Sequence, residues 1–494
     1  MQLIANGPDI PAAVLHSQEE GKLVFFCGAG ISMPSGLPSF KRLVEDVRDQ
    51  LGAAFTPQEK REFDAEAYDR VLGMFESDAR FGIKARQKVV KRLATVDNPQ
   101  LGVHKSLLTL ARRPDGALQL VTTNFDNLFQ IAEPDCHASA APELPIPKPG
   151  KWDGLVHLHG RIVPADPDGR KLVFTSADFG VAYLVERWAA RFVSELFQQF
   201  DVAFVGYSVN DPVMRYLVDA VAVERHLDRR LHAAYAFAEC QADKSEEVAQ
   251  EWRARGIEPI LYNPQDGHAA LRDTLAVWAS KFNGGLLSKT TLVSELAVKE
   301  PEALPREEHE HFCWAIEDPS GAPARHLVEL GQRAKFGWIK VLEEFRVLPR
   351  APHGDNNQFS LVGQRVSMFP LDAVGFYLAA WIAQHAGSVD CLQWVREHGG
   401  VLHPTLKSEV LRLIDRGQVP REFAEAWRLI ASFRGAADDI EFFRLATRLK
   451  EETFGPALKL AVLDAFHTTL NFGERLSFRM SGARRAFRAA SAGF

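Results

Sequence analysis

The sequence has few cysteines and no apolar run long enough to cross a membrane. Its five cysteines are scattered along the chain: Cys27, Cys136, Cys240, Cys313 and Cys391. The number is odd and no two have C-x-x-C spacing, so the sequence predicts neither a disulfide framework nor a zinc site. The longest apolar run, near residues 373–383, falls well short of the ~20 residues that a bilayer requires, and we interpret it as a buried helix.

The chain also lacks an excess of basic charge. Its 494 residues carry a formal net charge of −6, and the pI of about 6.3 argues against a general nucleic-acid binder. The segment 1–8 has no basic start and no long apolar stretch, so we expect no secretory signal. These features favour a cytoplasmic protein that does not associate with membranes.

The hydrophobic content of 46% is enough for a large core, and the length suits two or three domains. Up to about residue 285, strand-like and helix-like segments alternate. Continuous apolar runs predict strands buried on both faces: Leu23–Cys27, Leu118–Thr122, Leu155–Leu158, Val202–Val205 and Ala233–Ala238. The pattern predicts a Rossmann-like α/β domain over residues 1–285, a parallel sheet with helices on both faces and a helical insertion at about 57–95.

The second half of the chain has a different pattern. Glycines at 284 and 285, two prolines and a polar run predict a linker over residues 286–310. Beyond it, apolar residues recur at helical spacing, as in Phe423, Trp427 and Ile430, and again in Leu458, Val462 and Phe466. We therefore predict an all-α domain over residues 311–494, which ends in a basic, aromatic tail.

Glycines follow the first predicted strand. The order Gly28-Ala29-Gly30-Ile31-Ser32 after Leu23–Cys27 suggests a turn whose backbone approaches a diphosphate at a helix start. The dehydrogenase fingerprint requires glycine at the sixth position, where this chain has Met33, and an acid at the end of the next strand. Hydride transfer is therefore disfavoured, and a plain strand-to-helix turn remains an alternative.

Three further strands end in polar residues. The second predicted strand in chain order ends in Thr122-Thr123-Asn124-Phe125-Asp126. Either Asn124 or Asp126 could bind a ligand there or simply cap the next helix. The third gives His157-Leu158-His159-Gly160, where each histidine could instead be a satisfied core residue. The fourth gives Gly206-Tyr207-Ser208-Val209-Asn210-Asp211-Pro212, with Asp211 as a possible helix cap. The carboxyl ends of parallel strands lie at one edge of a sheet, where ligands bind.

The order of these motifs, G-A-G-x-S, T-x-N-x-D, H-G and G-x-S, resembles that of the sirtuin family over about residues 15–280. The resemblance implies NAD⁺ as substrate, cleaved at its nicotinamide bond. Two departures stand out: no cysteine lies between Cys136 and Cys240, so the family's zinc module is missing, and Thr123 and Phe125 replace a glutamine and an isoleucine. In both respects the chain looks like the sirtuin-like NAD⁺ hydrolases of bacterial anti-phage defence. The stretches Lys171–Leu184, Gly206–Leu217 and Gly256–His268 resemble that branch as well.

The resemblance also implies roles for individual residues. Asn124 would orient a water, His159 would act as general base or activate a ribose hydroxyl, and Asp126 would accept the N–H of the nicotinamide carboxamide. The expected NAD⁺-binding residues are Gly28, Ala29, Gly30, Ser32, Phe40, Thr123, Gly206, Ser208, Asp211 and His268. Among these, the backbone N–H groups of residues 28–30 would hold the diphosphate, and Phe40 would cover the ribose.

The expected activity is therefore NAD⁺ glycohydrolysis in an abortive-infection response, without zinc. The alternatives are an NAD-dependent protein deacylase and a non-catalytic module that senses NAD⁺ or ADP-ribose. We expect the helical second half to restrain the activity, through a homo-oligomer, a second defence-system protein or a phage protein.

Overall fold

The computed structural model describes residues 1–94, 96–208, 213–218, 231–345, 347, 361–363, 371–398 and 401–432. The chain forms two compact units, Met1–Asn283 and Gly284–Phe494. The first unit contains the sheet and the second is largely helical. The second predicted helical repeat (Leu458, Val462, Phe466) and the basic tail lie outside the described residues.

Seven parallel strands form the sheet of the first unit. In chain order they are β1 Leu23–Cys27, β2 Gln119–Thr122, β3 Ala138–Ala140, β4 Gly154–His157, β5 Asp201–Val205, β6 Ala234–Glu239 and β7 Glu258–Tyr262. Their spatial order is β3-β4-β2-β1-β5-β6-β7. Every residue of β1, β2 and β4 is buried, as expected for a parallel sheet covered on both faces. The Rossmann-like prediction is confirmed.

Four central strands end at the same level. Cys27 pairs with Thr122 on one side and with Val205 on the other, and Thr122 pairs with His157. The chain first builds the sheet outward from β1 through β2 and then crosses to β5 on the opposite side of β1. Ligands bind at such a switch point, outside the carboxyl ends of the strands. The fold thus brings all four motifs to one rim.

Helices flank the strands of the first unit. They are α1 Ala12–Glu19, α2 Phe40–Leu51, α3 Pro57–Asp64, α4 Tyr68–Ser77, α5 Ile83–Ala94, α6 Gly102–Leu110, α7 Leu128–Ala132, α8 Ser176–Phe179, α9 Trp188–Gln199, α10 Ser245–Ala254 and α11 Gln265–Val277, with a further helical stretch at 213–218. Local chemistry fixes several ends. Ser39 accepts a hydrogen bond from the Arg42 amide at the start of α2, and Gly52 ends α2 in the left-handed conformation. Helices α3 to α5 occupy the segment predicted as an insertion.

Two edge strands escaped the sequence analysis, for physical reasons. Strand β3 is only three residues long, Ala-Ser-Ala, and gives no apolar signal. Strand β7 contains Pro259, which argues against a strand unless the strand lies at an edge. Both strands lie at the two edges of the sheet, where a lost backbone donor is tolerated.

The second unit contains eight α-helices among the residues that the structure describes. They are α12 Leu286–Leu296, α13 Arg306–Ile316, α14 Ala322–Leu330, α15 Trp338–Glu344, α16 Ala373–Gln384, α17 Val389–Glu397, α18 Pro404–Asp415 and α19 Arg421–Ser432, together with a 3₁₀ turn at Gly331–Arg333. Strands β8 Val362–Gly363 and β9 Val401–Leu402 pair antiparallel, so the unit departs from the all-α prediction by this short ladder. Helix α16 is the apolar run of the sequence, and most of its residues are buried.

The segment 286–310 differs from the linker expected from its glycines and prolines. Residues 286–296 form helix α12, and helix α13 begins at Arg306. Gly285 lies before the first helix rather than inside it, and Pro305 directly precedes the second. The breakers therefore separate two helices, since each stands where a helix begins.

Candidate functional site

The turn after β1 packs directly against the turn after β5. A Cβ atom on Gly30 would lie 2.9 Å from the Cα of Gly206, and one on Gly28 would lie 2.7 Å from the carbonyl oxygen of Gly206. Gly206 itself has φ +78°, a left-handed conformation that favours glycine. These glycines are required by the close approach of two backbones at the switch point.

The amides of this turn are partly used inside the protein. The Gly28 N–H donates to the Val205 carbonyl at 2.9 Å, and the Gly30 N–H donates to the Gly206 carbonyl at 2.9 Å. This corrects the expectation that both amides hold a diphosphate, because each already has a backbone acceptor. Ala29 remains the residue of the turn that lines both cavities described below.

Three polar side chains form one hydrogen-bonded group beside the turn. Asn124 Nδ2 donates to the Gly28 carbonyl and to Ser32 Oγ, each at 3.0 Å, and Ser32 Oγ donates to Asp126 Oδ2 at 2.9 Å. Because a carbonyl only accepts, the amide nitrogen of Asn124 must face Gly28. Its Oδ1 is thus left as an acceptor.

Asp126 contacts both the following helix and the polar group beside the glycine turn. Its Oδ1 accepts from the Leu128 amide at 3.0 Å, at the start of α7, while its Oδ2 accepts from Ser32. Burial raises the pKa of this carboxyl, and the hydrogen bonds from Leu128 and Ser32 oppose that rise. One carboxylate therefore bonds both to the first amide of α7 and to the polar group beside the glycine turn.

His159 is fully buried on the other side of the same space. Its Nε2 lies 2.9 Å from the Tyr183 hydroxyl, and its Nδ1 has no hydrogen-bond partner among the described residues. Burial lowers the pKa of His159 to about 3, so the imidazole is neutral near pH 7. His157, by contrast, is held at both ring nitrogens, by the Asn124 carbonyl and by Gln130.

An inner cavity brings the polar groups together. Its volume is about 80 Å³, and Ala29, Ser32, Asn124, Asp126 and His159 are among the residues that line it. Most of the remaining wall is apolar: Leu37, Pro38, Phe40, Leu43, Leu93, Phe125, Val173, Phe174, Phe179 and Val213, with Thr123. The polar cluster therefore lies against a largely apolar wall.

A larger outer cavity adjoins the inner one, since Ala29 and Phe40 line both. Its volume is about 620 Å³, within the roughly 300–1,000 Å³ typical of cofactor pockets. Gly30, Gly206, Ser208 and His268 line it.

His268 belongs to a strained turn of the outer cavity. Residues 266–268 all have positive φ (53°, 64° and 61°) inside α11. The His268 Nδ1 lies 3.0 Å from the Tyr262 hydroxyl at the end of β7. The turn thus presents a histidine to the outer cavity, whereas Asn124 lines the inner one.

The structure brings most of the predicted site residues to these two cavities. Gly28 lines neither cavity, and Asp211 lies outside the described residues. Thr123 lines the inner cavity, but its Oγ1 is 2.6 Å from the Tyr207 hydroxyl, which also donates to the Cys27 carbonyl. We therefore regard Thr123 first as a link between strand ends.

Two buried residues of the site escaped the sequence analysis. His104 Nε2 lies 3.4 Å from Ser32 Oγ, and Tyr183 lies beside His159. His104 sits on the buried face of an amphipathic helix, α6, where a histidine gives no particular signal. Tyr183 is 24 residues from its partner, a separation that no local periodicity reveals.

A buried arginine ties the insertion to the wall of the inner cavity. Arg86 of α5 donates to both Glu76 and Asp178 and to the Leu172 and Gly169 carbonyls. Asp178 also forms a capping box with Thr175 at the start of α8. Because Phe174 and Phe179 flank that cap, the arginine fixes the segment that closes the cavity.

Membrane-spanning helices and metal-binding groups were also sought in the part of the chain that the structure describes. None of its helices has the length and apolar character to span a bilayer. None of its groups of histidine, cysteine, aspartate and glutamate is arranged to hold a metal ion.

Comparisons with known proteins agree with the geometry. Residues 119–260 match the family model of the SIR2-like domain. Over 493 residues the chain is 29% identical to the uncharacterized protein y4cA of Sinorhizobium fredii, covering 97% of this chain and 38% of that protein. Over 119 residues it is 30% identical to Defense-associated sirtuin 2 of Bacillus subtilis, covering 24% of this chain and 11% of that protein.

These matches confirm that the chain contains a sirtuin-like domain. The matched segment begins with β2, so the glycine turn precedes it; β1 nevertheless pairs between β2 and β5. The chain spans 38% of the length of the first relative and 11% of the second.

Proposed function

We propose that this chain, which contains a SIR2-like domain, hydrolyses NAD⁺ to nicotinamide and ADP-ribose. The observation that carries the proposal is the shared inner cavity: Asn124, Asp126 and the buried neutral His159 line one small space beside the glycine turn. The adjoining outer cavity has room for the rest of a dinucleotide. The SIR2-like match supports NAD⁺ as the ligand.

The reaction breaks the bond between the ribose C1′ and the nicotinamide nitrogen. The bonding electrons go to the nitrogen, so neutral nicotinamide leaves and positive charge develops on the ribose. A water oxygen then bonds to C1′ and gives its proton to His159. Asn124 Oδ1 accepts a hydrogen bond from that water, since its Nδ2 is committed to Gly28 and Ser32.

Asp126 and the apolar wall of the inner cavity prepare the departure of nicotinamide. Ionised Asp126 accepts an N–H of the nicotinamide carboxamide, which fixes the ring that departs. Phe40 lines both cavities and covers the ribose face between them. The surrounding aromatic side chains keep bulk water away from the cationic ribose.

A protein deacylase requires in addition a path for an acyl-lysine chain to the ribose. The inner cavity of about 80 Å³, walled by Phe125, Phe174 and Phe179, disfavours that function. Incubation of the purified chain with NAD⁺ alone separates the two activities. A hydrolase forms nicotinamide and ADP-ribose in equal amounts without peptide, whereas a deacylase consumes NAD⁺ only with an acylated peptide.

The roles of the two central residues are tested by substitution. Asn124→Ala and His159→Ala should each reduce NAD⁺ loss at least about 100-fold, because each removes a group acting on the attacking water. Chromatographic measurement of nicotinamide gives the rate, and thermal unfolding confirms that the variants fold. Full turnover by either folded variant contradicts its role; tight NAD⁺ binding by the wild-type chain without turnover would favour a sensor.

We further propose that this activity depletes NAD⁺ during phage infection. The similarity to Defense-associated sirtuin 2 supports this role. Regulation would act through the helical second half, by a homo-oligomer, a second defence protein or a phage protein. In infected cells, the wild-type chain should lower the NAD⁺ concentration and limit phage yield, and Asn124→Ala should do neither; equal phage yield with both would exclude a role for hydrolysis.

A further inference from the structure

The ends of β6 and β7 contribute to the wall of the outer cavity. Their last residues, Glu239 and Tyr262, line it together with the turn after β5. Phe204 of β5 pairs with Ala236 of β6. Because β5 ends at Val205 while β6 continues to Glu239, strand β6 extends beyond the end of β5.

Glu239 holds a special position in this sheet. Among the strands that the structure describes in the sheet, β6 alone ends in an acidic residue. In dinucleotide-binding sheets an acid at a strand end accepts hydrogen bonds from ribose hydroxyls. The usual fingerprint places that acid at the end of the next strand along the chain, but β2 ends in Thr122. The sheet instead has its strand-end carboxylate on the other side of β1.

The backbone fixes the position of Glu239, while its carboxylate is accessible. Glu239 pairs with Tyr262, and the Cys240 amide donates to the Tyr262 carbonyl at 2.8 Å. The Glu239 side chain is 55% exposed, and His268 Nδ1 lies 3.7 Å from its Oε2, beyond hydrogen-bond distance. That nitrogen is 3.0 Å from the Tyr262 hydroxyl. The carboxylate is therefore held by its strand and open to a ligand that donates hydrogen bonds.

Lys41 and Arg272 also line the outer cavity and carry positive charge. A 2′-phosphate on the adenosine ribose would need such a partner. However, Arg272 Nη1 donates to the Gly267 carbonyl at 3.2 Å, and its Nε lies 3.7 Å from Asp273 Oδ1. These contacts tie the guanidinium to its own helix, α11. Lys41 Nζ lies 5.9 Å from the centre of the Phe63 ring. The wall at β6 therefore suits an unphosphorylated ribose.

We propose that Glu239 accepts hydrogen bonds from the 2′- and 3′-hydroxyls of the adenosine ribose and thereby selects NAD⁺ over NADP⁺. The proposal rests on the proposed hydrolysis, which puts the nicotinamide ribose in the inner cavity and the adenosine half in the outer one. Strand β5 separates β1 from β6. The ends of β1 and β6 are thus about 10 Å apart, a distance of the same order as a diphosphate linker. A carboxylate can accept from both hydroxyls, whereas a 2′-phosphate would bring like charges together.

Ligands without a nicotinamide bond test this selection directly. ADP-ribose and its 2′-phosphate are titrated calorimetrically into the full-length chain. The wild-type chain should bind ADP-ribose at least about 30-fold more tightly than the 2′-phosphate. In Glu239→Gln, which keeps the shape and removes the charge, this preference should fall by about 10-fold or more.

Glu66→Gln is the matched control. Glu66 also lines the outer cavity, but it lies between α3 and α4 rather than at a strand end. The substitution removes the same charge from the same cavity, and the preference should change by less than about threefold. An equal loss of preference in both variants would show that the overall charge of the cavity, and not Glu239, makes the selection.

The ligand 2′-deoxy-ADP-ribose tests the hydrogen bond itself. The wild-type chain should bind it about 10-fold more weakly than ADP-ribose, because one charge-assisted hydrogen bond is lost. Glu239→Ala lacks the acceptor, so it should bind these two ligands alike. A wild-type chain that does not distinguish them contradicts the hydrogen bond.

The outcomes separate this inference from the proposed function. Equal wild-type affinities for ADP-ribose and its 2′-phosphate, an unchanged preference in folded Glu239→Gln, or no binding of either ligand overturns the role of Glu239 whatever the enzyme activity. The expected preferences without any NAD⁺ turnover would leave that role standing and reject the hydrolase. Thermal unfolding checks that the variants fold; if they do not, the three wild-type affinities alone decide the selection.

Discussion

At the scale of single residues, the two ionisable groups of the inner cavity have opposite tendencies. Burial lowers the pKa of His159 to about 3 and raises the pKa of Asp126 above its ordinary value. Both shifts favour the neutral form of the buried group. The proposed chemistry needs His159 neutral and Asp126 ionised, so the carboxyl rather than the imidazole limits activity in acid.

The pH dependence of hydrolysis follows from these directions. As the pH falls, Asp126 gains a proton first and loses one of its acceptor oxygens, whereas His159 stays neutral down to about pH 3. We therefore expect a single acid limb, with its midpoint above the ordinary carboxyl pKa of 3.8. The measurement is kcat for nicotinamide release against pH, over the range in which circular dichroism shows folded protein.

Asp126→Asn is the control for this assignment. The asparagine cannot ionise, so the acid limb should disappear while the overall rate falls, by about 10-fold or more. A limb near pH 6.5 that persists in Asp126→Asn would mean that His159 titrates like an exposed imidazole, and it would contradict the buried neutral base.

At the scale of elements, the edge of the sheet that carries the site depends on the contact between the turn after β1 and the turn after β5. Gly206 has φ +78°, and a Cβ atom on it would lie 2.7 Å from the Ile31 amide nitrogen. Gly52, at the end of α2, has φ +63° and no heavy atom within 4 Å of the Cβ position. The two glycines share a left-handed backbone and differ in crowding.

Alanine variants at these two positions therefore separate the cost of a left-handed backbone from the cost of a steric clash. Gly52→Ala should lower the free energy of unfolding by about 1 kcal/mol, the cost of a left-handed alanine. Gly206→Ala should cost about 3 kcal/mol, because a steric clash is added, and should weaken NAD⁺ binding. Urea unfolding and calorimetric titration measure the two effects; equal losses of stability in both variants would show that the turns do not press on each other.

The ion pair between the insertion and the cavity wall gives a second prediction. Arg86→Met leaves Asp178 and the Leu172 carbonyl without their buried donor. The free energy of unfolding should fall by about 2 kcal/mol or more, allowing for the partial exposure of Asp178. Arg80→Met, which breaks an exposed pair with Asp78, should cause no measurable loss. If the two variants unfold alike, the buried pair does not hold the wall.

Particular elements show how far sequence reasoning reached. Strands β1, β5 and β6 were predicted within about one residue, because their apolar runs are long and bounded by polar or glycine residues. The motifs after β1, β2, β4 and β5 were found because each followed an apolar run. Tyr183 and Arg86 were not found, since their roles depend on partners 24 and 92 residues away, which only the folded chain brings together.

The amides of the glycine turn illustrate a different limit. The glycines pointed to a close backbone approach, and the structure has one, but the backbone that approaches is the turn at Gly206. A glycine pattern indicates that another group approaches the backbone closely, but it does not identify that group. The sequence therefore predicted where the turn lies, but not that the N–H groups of Gly28 and Gly30 donate to carbonyls within the protein.

At the scale of the whole molecule, the described parts of the two units differ in how many histidines have a pKa lowered by burial. Burial lowers the pKa of His104 and His157 to about 4 and of His159 to about 3 in the first unit. In the described part of the second unit, burial lowers the pKa of His385 to about 4, while Glu343 helps to raise the pKa of His398 against its burial. The first unit thus buries more imidazoles that resist protonation.

This difference predicts that the first unit is the more sensitive to acid. A histidine with a lowered folded pKa favours folding fully above its unfolded pKa of about 6.5, and this contribution is lost as the pH falls toward the folded value. Each such histidine costs about 1.4 kcal/mol per pH unit in that window. For His398 the sign is reversed, since its raised pKa favours the folded state below pH 6.5.

Hydrogen exchange with mass spectrometry can follow each unit separately between pH 7 and pH 5, after correction for the intrinsic exchange rate. Protection of the sheet peptides in residues 1–283 should fall more steeply than protection of helices α12 to α16. His157→Gln should reduce the slope of this loss in the first unit by the contribution of one histidine, about 1.4 kcal/mol per pH unit. His16→Gln, at an exposed position, should leave the slope unchanged. Equal slopes in the two units would mean that His104, His157 and His159 accept protons without unfolding of the first unit. The inner cavity would then be open to solvent, contrary to what the proposed hydrolysis requires.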